Sequence, residues 1–153
     1  MSTLSRHMQF MESIQTAIRN LNLTGLPDEQ VLIVEEIDDT GNDIPPLPCV
    51  LIAPVGLEAL PGGENESDDI GYPTLIALID SRKDWDSDKT DERLYWRQLI
   101  LDQMLERRWS GVESSTRTEI RSGGILDLSA WGKSLFLSWL EVVTYADVNR
   151  RPS

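Results

Sequence analysis

One cysteine and one histidine are all that this 153-residue chain offers for thiol or imidazole chemistry. A lone cysteine excludes an internal disulfide. Cys49 opens the apolar run Val50-Leu51-Ile52 and reads as a small buried hydrophobe. A catalytic thiol wants a histidine partner, and His7 sits by a terminus expected to fray. No His/Cys cluster can hold zinc. Basic residues are missing over a long stretch: from Asn20 to Ser81 there is no Lys or Arg. No apolar run approaches the ~20 residues of a membrane span. The polar start Met1–His7 has no apolar segment of the secretory kind, so the chain is expected to work in, or assemble in, a cytosol.

What is present is acid. The chain carries 26 Asp and Glu against 14 Lys and Arg, a formal net charge of −12. Thirteen of those acids lie between Asn20 and Ser81, which leaves thirteen against 14 bases elsewhere. One contiguous segment thus supplies the negative excess. Such a balance argues against gripping a phosphate backbone, which needs basic surface to release counterions. It argues equally against an anionic membrane surface. The length suits a single domain over 1–153, and forty per cent hydrophobic residues suit a packed core.

The apolar spacing predicts a helix over about 5–23, with Met11, Ile14, Ile18 and Leu21 on one stripe and Gly25 and Pro27 stopping it. Strands are predicted at Val31–Ile37 and, after Pro45, Pro46 and Pro48, at Cys49–Ala53. The turn chemistry of 38–43 separates them. A long acidic loop over 54–71 holds Glu58, Glu64, Glu66, Asp68 and Asp69. Tyr72–Ile79 is nearly all apolar and reads as a central strand. A second helix is expected over 91–109, capped by Asp88 or Thr90. Its apolar residues reach almost all round, which implies burial against the sheet and against a second surface such as a neighbouring subunit. A short strand over 116–121, a Gly123-Gly124 turn, a final strand over 135–145 with two apolar faces, and a C-terminal tail over 146–153, basic from Asn149 on, complete the chain. The order α-β-β-β-α-β-β predicts an α+β fold. A mixed or antiparallel sheet is packed by two main helices.

No catalytic pattern accompanies these elements. Asp84-x-Asp86-x-Asp88 opens like a calcium loop, but position six is Lys89 instead of Gly and position twelve is Tyr95 instead of Glu. Neither Gly62-Gly63 nor Gly123-Gly124 is followed by the Lys-Ser/Thr of a phosphate loop. No Gly-x-Ser-x-Gly elbow occurs. The expectation is a protein that is not an enzyme and needs no cofactor or metal.

The parts do resemble a known family. An amphipathic N-terminal helix, a strand, and the Pro-led strand Leu47-Pro48-Cys49-Val50-Leu51-Ile52-Ala53-Pro54 come first. An acidic Gly-containing loop, the strand Tyr72–Asp80, Arg93-Leu94-Tyr95-Trp96-Arg97 in a helix, and an apolar last strand with an Arg-bearing tail follow. This resembles the tail terminator and tail-completion proteins of long-tailed bacteriophages. The resemblance implies a virion structural protein in the tail neck. It would form a homo-oligomeric ring, expected to be a hexamer, between the tail tube protein and the head connector or stopper. DNA would pass through the ring without being held, and an acidic lumen formed by part of the 20–81 segment would repel it. Trp96, Ile100, Met104 and Trp139 are then expected at subunit contacts, where aromatics and Met are enriched. Glu58, Glu64, Glu66, Asp68 and Asp69 are expected to face the lumen or a partner. Two other readings remain open at this level: a head-completion stopper of the same neck, and an acidic inhibitor or immunity protein that binds a basic partner.

Overall fold

The structure is a computed structural model, and it describes residues 4–37, 45–56, 69–112, 114–128, 131 and 134–147. Among the described residues, two α-helices, α1 (Arg6–Arg19) and α2 (Ser87–Met104), accompany five strands: β1 (Val31–Ile33), β2 (Cys49–Pro54), β3 (Asp69–Ser81), β4 (Ser115–Gly124) and β5 (Leu135–Asp147). The strands form one mixed sheet in the order β1-β2-β3-β5-β4. Only the β1–β2 pair is parallel. The chain is therefore an α+β fold with the expected element order.

Alternation along the strands divides the sheet into two faces. Val50, Ile52, Ile76, Leu78, Phe136, Leu140 and Val142 point to the first, where they meet Phe10, Ile14 and Ile18 of α1 and Trp96, Ile100 and Met104 of α2. Both helices thus cover the same face. Cys49, Leu51, Ala77, Ile79 and Leu137 form a separate cluster on the second face. β3 lies in the middle of the sheet, as its apolar sequence predicts, and β5 carries apolar residues on both faces.

Element ends differ from the sequence reading for local reasons. Ser5 caps α1 by accepting from Met8 N–H, and the helix stops at Arg19; Asn22 and Gly25 then take positive φ (51° and 91°) and turn the chain back. β1 is three residues long, not seven. Val34 N–H still bonds Ile52, but Glu35 and Glu36 turn outward to solvent. The acidic loop is shorter than expected because Asp69–Gly71 already pairs with β5. Pro73 is tolerated in β3. Its carbonyl accepts from Val55 N–H, so its missing N–H faces the same side, just past the last β2 pair, Pro54–Thr74. The cap of α2 is Asp86, which accepts from Lys89 N–H, rather than Asp88 or Thr90. The predicted turn at 38–43 lies outside the described residues.

Gly123-Gly124 is strand, not turn. The two residues lie on opposite faces of β4, and each makes room for a large side chain. A Cβ on Gly123 would stand 2.6 Å from Nη2 of Arg97, and one on Gly124 would collide with the indole of Trp139. Gly124→Val should therefore cost about 1–3 kcal/mol by overpacking. Denaturant unfolding checks this, and Ser122→Val, at an exposed position of the same strand, should be nearly neutral.

Candidate assembly surfaces

The α2 helix buries one stripe. Trp96, Ile100 and Met104 are only 3 %, 2 % and 0 % exposed within the single chain. They pack on the sheet beside α1, and the Arg93 guanidinium stacks on the Trp96 ring at 3.8 Å. This corrects their expected place at subunit contacts: a side chain already covered by its own chain has almost no surface left for a neighbour. The residues opposite the stripe stay exposed, Tyr95 at 56 % and Leu105 at 52 %. Tyr95 stands among the exposed acids Asp88, Asp91 and Asp102. The all-round apolar pattern thus splits into a core stripe and an outward aromatic.

Trp139 is placed differently. It points to the second face, half-buried, against the cluster of Cys49, Leu51, Ala77, Ile79 and Leu137. With Ile37, Val55, Leu75, Ala77 and Leu137 it lines a groove of about 320 Å3, rimmed by Asp127 and Glu141. Beside the groove runs Ile125-Leu126-Asp127-Leu128. Ile125 is 59 % exposed and Leu128 75 %. Asp127 N–H donates to Leu137 O at 2.8 Å and fixes this segment to β5. Sequence reasoning missed it because the segment follows a Gly-Gly pair that reads as a turn. Its only signal was three aliphatics within four residues, where a connection should be polar.

The described acids of the 20–81 segment lie at separate places in the fold. Asp69, expected in the acidic loop, is held in β3, where it accepts from Thr116 Oγ1 at 2.7 Å and Arg117 Nη1 at 3.2 Å. This corrects its placement in the loop alone: Asp69 is a strand residue whose charge is met by β4. Glu58, Glu64, Glu66 and Asp68 lie outside the described residues. Asp80 is buried and accepts from Arg93 Nε at 2.7 Å, with Lys89 Nζ at 3.9 Å. Asp28, Glu29, Glu35 and Glu36 are exposed on either side of β1.

Among the described residues, three titratable groups are perturbed by packing. Burial, with the Asp80 carboxylate adding to it, pushes the Cys49 thiol up from 9.0 to about 12. Burial also raises Tyr145, and Glu119, which accepts its hydroxyl proton at 3.1 Å, reinforces the shift. Burial lowers Arg97, whose Nε has no hydrogen-bond partner among the described residues. The Cys49 shift predicts a pH effect. The unfolded thiol ionises near 9 while the folded one stays protonated, so stability is full below pH 9. It should fall by about 1.4 kcal/mol per pH unit as pH rises towards 12. Cys49→Ala should remove that slope in urea melts between pH 9 and 10.5. In the folded chain Cys49 should resist thiol reagents at pH 8.

Among the described residues no three His, Cys, Asp or Glu side chains group to hold a metal ion. Asp86 of the calcium-like triplet is occupied as the helix cap. Likewise, no described helix is long and apolar enough to cross a membrane. His7 is not frayed: its Nε2 lies 3.0 Å from Thr74 Oγ1, and its ring packs on Tyr72. No family model matches the chain, and no curated protein matches it.

Proposed function

We propose that the chain is a tail terminator of a long-tailed bacteriophage. It would form a ring, of six copies in this reading, that caps the tail tube and joins it to the head connector. The observation that carries the proposal is the arrangement of elements: α-β-β-β-α-β-β on one mixed sheet, with both helices on the same face. The resemblance rests on that element order and on the sequence segments that carry it. A ring subunit also needs two separate lateral surfaces. The chain exposes large apolar side chains on both sides of the sheet, Tyr95 and Leu105 on the helix side and Ile125 and Leu128 beside the second face. In this reading the exposed acids around β1 stand nearer the DNA path than Asp69 or Asp80, whose charges are already met. The free edge of β4 is a poor docking strand, because two bulges and the charges of Arg117, Glu119 and Arg121 guard it.

The test is functional. Added to polymerising tail tube protein, the chain should stop elongation and shorten the tubes in proportion to its concentration. Unchanged tube lengths at excess chain would refute the reading.

A further inference from the structure

We infer that the cleft between α1 and the 107–111 segment takes a short extended peptide, with Arg107 holding an acidic group of that peptide and Glu12 a basic one. Binding of such a ligand is independent of ring formation.

The cleft has a volume of about 500 Å3, within the ~300–1,000 Å3 usual for ligand sites. Gln9, Ser13, Thr16 and Asn20 line it at successive turns of α1 and its cap. At ~1.5 Å per residue this row spans roughly 16 Å, the reach of about five extended residues. The opposite wall is held by bonds within the chain. Trp109 N–H donates to Ser115 Oγ and its Nε1 to Thr118 Oγ1, both at 2.8 Å. A Cβ on Gly111 would stand 3.0 Å from Ser13 Oγ, so the two walls meet at this glycine.

Arg107 and Glu12 both line the cleft, and neither has an ion-pair partner among the described residues. Arg107 Nη1 donates to Gln103 Oε1 at 2.7 Å, and its guanidinium lies 4.2 Å from the centre of the Trp109 ring. These contacts fix the guanidinium plane and leave further N–H groups for a carboxylate. Glu12 is exposed and offers the opposite charge. A ligand that carries both signs satisfies both walls. The Asn20 amide and the Ser13 and Thr16 hydroxyls supply donors and acceptors for peptide N–H and C=O groups. A sugar or a nucleobase fits less well, because it seeks a free aromatic face: Trp109 is only 2 % exposed, and Arg107 lies across its ring. Residues 1–3 precede Leu4, which also lines the cleft, but Met, Ser and Thr bring no carboxylate side chain to Arg107.

An NMR titration of the isotope-labelled full chain with an unblocked tetrapeptide of glycine and alanine tests the site. Backbone amide shifts should saturate within 9–20 and 107–111, with a Kd below about 5 mM. Acetylating the amine or amidating the carboxylate of the peptide should each weaken binding at least about fivefold. Glu12→Gln, at an exposed position, should keep the wild-type melt and lose only the penalty for acetylation. Arg107→Gln should lose only the penalty for amidation, and Arg107→Lys should restore part of it. No shift in the cleft at about 20 mM peptide, or blocked peptides that bind as well as the free one, would overturn the inference. Glu113→Gln, and a chain lacking residues 1–3, should bind as wild type does. A gain of about tenfold in either would show that the chain's own residues occupy the cleft, and would overturn it as well.

Discussion

Trp96→Asp is expected to abolish the folded monomer. Trp96 is 3 % exposed and shares the first-face core with Ile100, Met104 and the α1 residues Phe10 and Ile14. Truncating a buried Trp costs about 3–5 kcal/mol. The new carboxylate adds the cost of burying a charge, and the Arg93 stacking at 3.8 Å is lost. Small domains hold only about 5–15 kcal/mol in total. Circular dichroism and urea melts should show no cooperative transition. A subunit-contact residue would behave otherwise: it would leave the melt intact and abolish association. Tyr95→Asp, one residue away on the outward face, is the control that should keep the wild-type melt.

Breaking the Asp80–Arg93 pair is the second large effect. Both side chains are buried, at 5 % and 8 % exposure, and they meet at 2.7 Å. Asp80 is the penultimate residue of the central strand β3 and Arg93 lies in the second turn of α2, so the pair clamps helix to sheet. Removing one partner leaves the other charge buried, which costs about 3–5 kcal/mol. Asp80→Ala should therefore unfold at markedly lower urea than wild type. The double variant Asp80→Leu/Arg93→Met should recover most of the loss, because a buried ion pair is itself of small net value. A double variant no better than the worse single one would show that the pair does more than cancel charge.

The element order was legible because periodicity and β-branched runs are local signals. The stripe Met11, Ile14, Ile18 placed α1, and Tyr72–Ile79 placed the central strand. Element ends were less legible, since they depend on partners. β3 begins at Asp69 because β5 is there to pair with it, and Gly123-Gly124 became strand because Arg97 and Trp139 need its missing side chains. The same limit governed the site. On a helix with apolar residues all round, periodicity cannot say which side meets its own sheet and which meets solvent. Trp96 and Tyr95 are adjacent in sequence and face opposite ways. Asp69 shows it for charge: its position in an acidic run said nothing of Arg117, which lies 48 residues away and meets it at 3.2 Å.

The most direct test of the central claim is electron microscopy of tail tubes incubated with the full chain. The account predicts a closed ring of six copies on one end of each tube, with an open channel. Bare tube ends, or a chain that binds tightly to basic proteins and ignores the tubes, would contradict it.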